Sequence, residues 1–212
     1  MSTFYAYKFP PPQEGDSTPE FLTGYFLISD TEMLDPNFYR TVVYILSHNA
    51  QGALGLVINR PSAATIADIS TEDMADSPFS EHTVYVGGPV DQNYLFALHT
   101  GLQGNLKSEN SIEAVDGIVF EPDFALLQQH FAHRSTIEST PPETDIRFFA
   151  GYAGWSAGQL EQELLRRDWV TLKAHPELVF RTDTEKIWNA ALFRKGGIYS
   201  ITAETGSKPS VN

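Results

Sequence analysis

The chain has 212 residues, no cysteine, and a net charge of −13 from 14 basic and 27 acidic side chains. A chain of this length buries roughly 70% of the surface its unfolded form exposes, enough for one sizeable core, and one domain is the default expectation. The absence of cysteine excludes disulfides, zinc–thiolate sites, iron–sulfur clusters and a cysteine nucleophile. Residues 1–12 hold a single lysine, several prolines and no apolar run. That pattern fits neither a signal peptide nor a membrane anchor, so a cytoplasmic protein with no membrane association is expected.

The charge is unevenly distributed. Residues 41–146 contain only Arg60, Lys107 and Arg134 against fourteen acidic residues, whereas nine basic residues face seven acidic ones from Arg147 onward. An acidic body repels phosphate backbones, and direct DNA binding is disfavoured. A basic face drawn from Arg166, Arg167, Lys173, Arg181, Lys186, Arg194 and Lys195 is the exception to weigh, against the usual role of such residues as a solvated surface.

In chain order, residues 1–20 form an extended, Pro-rich and polar lead-in, and a single folded unit is expected over 21–202. Residues 21–28 predict a strand, followed by a turn set by Pro36. Residues 41–46 (TVVYIL) and 53–58 (ALGLVI) predict a hairpin; neither run alternates with polar residues, which places both strands mid-sheet with both faces covered. A short helix capped near Thr65 and an acidic surface loop over 71–81 follow. Strands are predicted over 83–86, 95–99, 115–120 and 146–150. Between the last two, Phe124, Leu127 and Phe131 share one face of a helix over 121–133.

Residues 151–156 read as a small-residue loop leading into a helix, with Ser156 as N-cap, Gln159 completing a capping box, and an end near Arg167. A strand over 169–172 and a last helix through Trp188, Leu192 and Phe193, stopped by Gly196 and Gly197, complete the unit. Residues 203–212 read as a flexible tail. The irregular mixture of strands and helices predicts an α+β fold.

The stretches Gly24-Tyr25-Phe26-Leu27-Ile28, Leu34-Asp35-Pro36-Asn37-Phe38, Arg40-Thr41-Val42-Val43, residues 52–61, Val86-Gly87-Gly88-Pro89-Val90 and Phe149-Ala150-Gly151-Tyr152-Ala153-Gly154-Trp155 through Leu164 resemble, in order, the YqgE/AlgH family. The resemblance spans about 21–197. It implies a single bacterial α+β domain with a curved antiparallel or mixed sheet flanked by helices. Some members of that family are described as transcriptional regulators of exopolysaccharide (alginate) synthesis. The resemblance carries no catalytic residues over to this chain. Ser47-His48-Asn49 and Ser156-Ala157 depart from the family pattern.

Two segments stand out as candidate binding elements. Asp35, Asn37, Arg40, Asn59 and Arg60 gather at one edge of the hairpin, where Arg60 has the fork geometry for a carboxylate or phosphate. Turn hydrogen bonds and an ion pair to Asp35 or a nearby glutamate are the simpler use of the same residues. Gly151, Tyr152, Trp155 and Ser156 offer helix N-terminal amides and two aromatic walls, or tight packing of helix on sheet. Gly87-Gly88-Pro89 lacks the residues of a phosphate loop. His48 and His99 have no accompanying nucleophile motif, and His130 and His133 make a weak metal pair, so no metal and no cofactor is assigned.

The expectation is therefore a regulatory or adaptor protein acting on an unknown protein partner or a small anionic ligand, with a non-enzyme favoured. A hydrolase-like enzyme using the Arg40/Arg60 edge and the 151–156 loop is the first alternative, and a DNA-binding transcriptional regulator the second.

Overall fold

The computed structural model describes residues 20–69, 79–101, 107–127 and 145–208. The predicted lead-in up to residue 19, the acidic stretch 71–78, the second half of the 121–133 helix with His130 and His133, and the last four residues lie outside them.

The apolar hairpin does lie in the middle of the sheet. Strand β2 (Val42–Asn49) pairs antiparallel with β3 (Gly52–Val57) on one side and β1 (Tyr25–Ser29) on the other. Its residues alternate between two apolar layers. Val42, Tyr44 and Leu46 join Phe26, Ile28, Leu56 and Ile58 in one, while Val43 and Ile45 join Leu27, Val57, Trp155 and Trp169 in the other. Unbroken apolar runs follow directly from this, because a strand covered on both faces has no solvent side on which a polar residue is favoured. Each such side chain contributes about 1.5–3 kcal/mol on burial, so the hairpin is a large share of the core.

The sheet runs β10–β1–β2–β3–β9–β6–β8–β7, with β4 (Pro61–Thr65) and β5 (Thr83–Val86) attached beside β9. Its remaining strands are β6 (Val90–His99), β7 (Ile112–Val115), β8 (Ile118–Glu121), β9 (Ile146–Ser156) and β10 (Trp169–Lys173). All pairings are antiparallel except β5 with β9. The β7 end curls back, so that Ala114 and Val115 lie against Gly24. The result is a curled sheet with helices on its faces, the predicted α+β class.

Three predictions of local structure need correction. The run 115–120 is a hairpin and not one strand: Gly117, at φ +76°, turns the chain between β7 and β8. Residues 151–156 are no loop but the second half of β9. Gly151, at φ +72°, lets the strand bend, and it changes partner from β5 (84–86) to β3 (52–55) across that point. A side chain at Gly151 would meet the Val90 carbonyl oxygen at 2.7 Å, so the small residue reflects close strand approach. Residues 203–205 complete a helix and do not begin a tail.

The helices are α1 (Ile66–Ile69), α2 (Gln159–Leu165), α3 (Pro176–Phe180), α4 (Ile187–Lys195) and α5 (Ile198–Thr205), with a further helical turn over 124–127. Helices α3, α4 and α5 cover the Tyr44 layer through Leu178, Val179, Trp188, Leu192 and Ala203. Helix α2 covers the other through Leu160. Ser156 ends β9, and Gly158 is the N-cap of α2. Of the expected capping box only the returning half exists, the Ser156 amide donating to Gln159 Oε1 at 3.1 Å.

Candidate functional site

The hairpin edge is built from the residues the sequence singled out, and its polar groups hold the chain to itself. Asp35 Oδ1 accepts from the Asn37 amide at 2.8 Å, an Asx-type turn. Asn59 accepts from the Val42 amide and donates to the Arg40 carbonyl, both at 2.9 Å. Arg60 donates to the carbonyls of Tyr39 (2.6 Å) and Pro36 (3.3 Å), so it clasps the turn and makes no ion pair with Asp35. Arg40, in the left-handed region at φ +52°, lays its guanidinium over the Trp188 ring at 5.1 Å.

A cleft of about 240 Å³ does join Asn37 and Arg60 to Gly88, Pro89 and Gln92. Gly151 lies below it, against the Gly88 carbonyl. Tyr152 and Trp155, expected to wall one pocket, go to opposite faces of β9 because they are three residues apart on a strand. Tyr152 packs with the Tyr44 layer and donates its hydroxyl to Asp91 at 3.2 Å. Trp155 is buried in the other layer, with Ser156 beyond it at the strand end. The indoles of Trp155 and Trp169 both donate to Glu163 Oε2 at 2.8 Å, and Phe38 packs on both rings. The enclosed carboxylate orders the end of α2 against the sheet.

His48 is also internal. Its Nδ1 accepts from the Leu22 amide, which puts the proton on Nε2, facing Glu161 Oε1 at 3.0 Å. Glu121 is buried and ringed by donors. Burial alone raises its pKa, but hydrogen bonds from Ser108, Ser111 and the Asp123 amide outweigh it and hold the carboxyl below the ordinary range. Of the scattered basic residues, Arg166 pairs with Asp168, Arg181 with Asp145, Lys186 with Asp183 and Arg194 with Glu177. Among the described residues no cluster of three or more His, Asp or Glu side chains is placed to hold a metal, and no helix is long and apolar enough to cross a membrane.

A second charged site, which sequence reasoning did not find, lies at the start of β10. Asp30 follows β1, is 8% exposed, and meets Lys208 Nζ at 2.8 Å. Arg167 follows α2. Its amide donates to the Leu164 carbonyl while the Asp168 amide donates to the Glu163 carbonyl, the paired bonds of a Schellman helix end. That position calls for φ > 0 and usually holds glycine; here an arginine sits at φ +64°. A Cβ in this region costs about 1–2 kcal/mol. Unlike Arg166, Arg167 has no ion-pair partner among the described residues.

Two clefts meet at these side chains. One, of about 530 Å³, is lined by Asp30, Arg167 and Lys208 with Trp169 and Val170 of β10 and Ile198, Tyr199 and Thr202 of α5. The other, of about 350 Å³, shares Asp30, Arg167 and Lys208 and adds Arg166, Asp168 and the turn residues Glu32, Met33, Leu34 and Asp35. In the first, two cations face one carboxylate. The only sequence signal for this site was a helix end at Arg167 where a glycine belongs.

The curled antiparallel sheet and the helices on its two faces define a single-domain α+β protein, with charged clefts at one end of the sheet. The AlgH-like family profile matches residues 26–200, and the chain belongs to this family. It is 34% identical over 190 residues to a UPF0301 protein of Chlorobaculum tepidum, covering 89% of this chain and 95% of the relative. The solution structure of AlgH from Pseudomonas aeruginosa superposes with a TM-score of 0.67 at 34% identity, covering 93% of this chain and all of that one. A crystal structure of a Corynebacterium diphtheriae protein has a TM-score of 0.68 at 21% identity over 89% and 94% of the two chains, a likeness of fold alone.

Proposed function

We propose that the protein is a cytoplasmic regulatory or adaptor protein that works by binding, and that it binds an anionic group at the paired clefts around Asp30, Arg167 and Lys208. The observation that carries this reading is Arg167. It occupies a backbone position that favours glycine, lines both clefts, and has no ion-pair partner among the described residues. Strain of this kind persists where the side chain serves a purpose that glycine cannot. The fork of a guanidinium suits a carboxylate or phosphate, and the half-exposed Lys208 adds a second charge. Contacts at the Arg60 edge, by comparison, are satisfied internally.

A thermal-shift panel of acetate, succinate, glutarate and inorganic phosphate tests it. At least one anion is expected to raise the melting temperature of the natural chain and to leave Arg167→Gly unmoved. Equal shifts in both proteins, or none in either, would remove the clefts from consideration.

A further inference from the structure

The wider cleft runs beside an open sheet edge. Among the described residues β10 is the last strand of the sheet on that side, and its only partner is β1. In the β1–β10 ladder the Asp30 amide bonds the Asp168 carbonyl and the Ala174 amide bonds the Gly24 carbonyl. In an antiparallel pair, bonded and non-bonded positions alternate, so Phe26–Leu172 and Ile28–Val170 belong to the bonded set. The amides and carbonyls of Trp169, Thr171 and Lys173 therefore point away from β1. No backbone bond closes them from outside among the described residues. Thr171 and Leu172 are half-exposed and Lys173 is exposed.

The opposite edge is treated differently. β7 curls against Gly24 and is covered, whereas at β10 helix α5 stands off and leaves the cleft between Ile198, Tyr199, Thr202 and the strand. The ring of Trp169 is in the other layer, so its main chain is what borders this cleft. An open strand edge beside a helix, with apolar side chains on the floor between them, is the geometry in which an extended peptide adds as a further strand.

Direction follows from charge. Arg167 stands two residues before β10, at the strand's N-terminal end, with Asp168, paired to Arg166, between them. A segment added antiparallel to β10, as β1 is on the other side, ends its own chain beside Arg167 and Lys208. A parallel segment would bring its N-terminal amine to the same two cations. From this we infer that the β10–α5 groove captures the C-terminal residues of another polypeptide in extended form. Its main chain bonds Trp169, Thr171 and Lys173, and its terminal carboxylate is held by Arg167 with Lys208. This rests on the binding reading above and names the partner class for the same clefts.

The test is a selection of displayed octapeptides with free C-termini on the full chain, followed by fluorescence anisotropy with the enriched sequences. Loss of a charge-assisted hydrogen bond or of strand bonds weakens binding by about tenfold or more. That loss is expected on C-terminal amidation, on Arg167→Gly, on N-methylation of alternate peptide residues, and on Thr171→Pro. The proline removes an outward amide and leaves the β1 ladder intact. Because the proline variant can fail to fold for its own reasons, the N-methylated peptides, used on the natural chain, decide the strand-addition point independently. Enriched peptides that tolerate amidation or N-methylation overturn the inference, as does a selection that enriches nothing. If small carboxylates still raise the melting temperature in an Arg167-dependent way while no peptide is retained, anion binding stands and strand addition falls.

Discussion

Two charge-rich regions lie close in this fold, with Asp35 and Arg167 lining one cleft, and the sequence makes only the first conspicuous. At the 35–60 edge, Asp35, Asn59 and Arg60 close a turn with their own hydrogen bonds, and Arg40 is stacked on Trp188. At the start of β10, Arg167 holds a strained backbone and makes no ion pair among the described residues, beside a buried Asp30 that is bound to Lys208. The first region shows polar residues consumed by folding. The second shows charge left over after folding is complete, and leftover charge in a cleft is what a ligand can use.

If the 35–60 edge and the strands beneath it are structural, substitutions there reduce stability. The largest effect is expected at Gly151→Val, which forces a branched residue into φ +72° and against the Val90 and Gly88 carbonyls at 2.7 and 2.9 Å. A loss of roughly 3 kcal/mol or more in urea unfolding is expected. Asn59→Ala leaves the Val42 amide and the Arg40 carbonyl without partners and costs about 2 kcal/mol by the same measurement. A small loss there would reopen the edge as a site of another kind.

The buried Glu121 gives a pH dependence. Its hydrogen bonds lower its folded-state pKa below the ordinary value of about 4.3, so its contribution is complete above that value and declines as pH falls through the folded-state pKa. Glu121→Gln is expected to flatten the acid limb of a stability–pH curve, and an unchanged limb would discount the ring of donors. The smallest change has the opposite sign. Arg167→Gly relieves the left-handed strain and is expected to stabilise the chain by about 0.5–1 kcal/mol.

What was legible in the sequence follows from the range of the interactions. The β2–β3 hairpin was plain because a strand buried on both faces has an unbroken apolar run. The β7–β8 turn was hidden because Asp116 and Gly117 sit inside another such run, and the second half of β9 was hidden because its glycines look like loop residues. In fact Gly151 lets the strand bend as it changes neighbours. Helix α3 is one turn begun by Pro176, and α5 follows a glycine pair that reads as a stop. Asn37 and Arg60, both singled out from the sequence, line one cleft. The Asp30–Arg167–Lys208 site was not legible, since it joins the end of β1, the end of α2 and the segment after α5, and no local pattern encodes that meeting.

The central claim is that Arg167 is kept at a cost to folding for the sake of binding. Urea unfolding of the natural chain and of Arg167→Gly, each with and without succinate, measures both halves together. The account predicts that the glycine variant is the more stable without the anion and gains nothing from it, while the natural chain gains. A glycine variant that is less stable, or one that still gains, would contradict it.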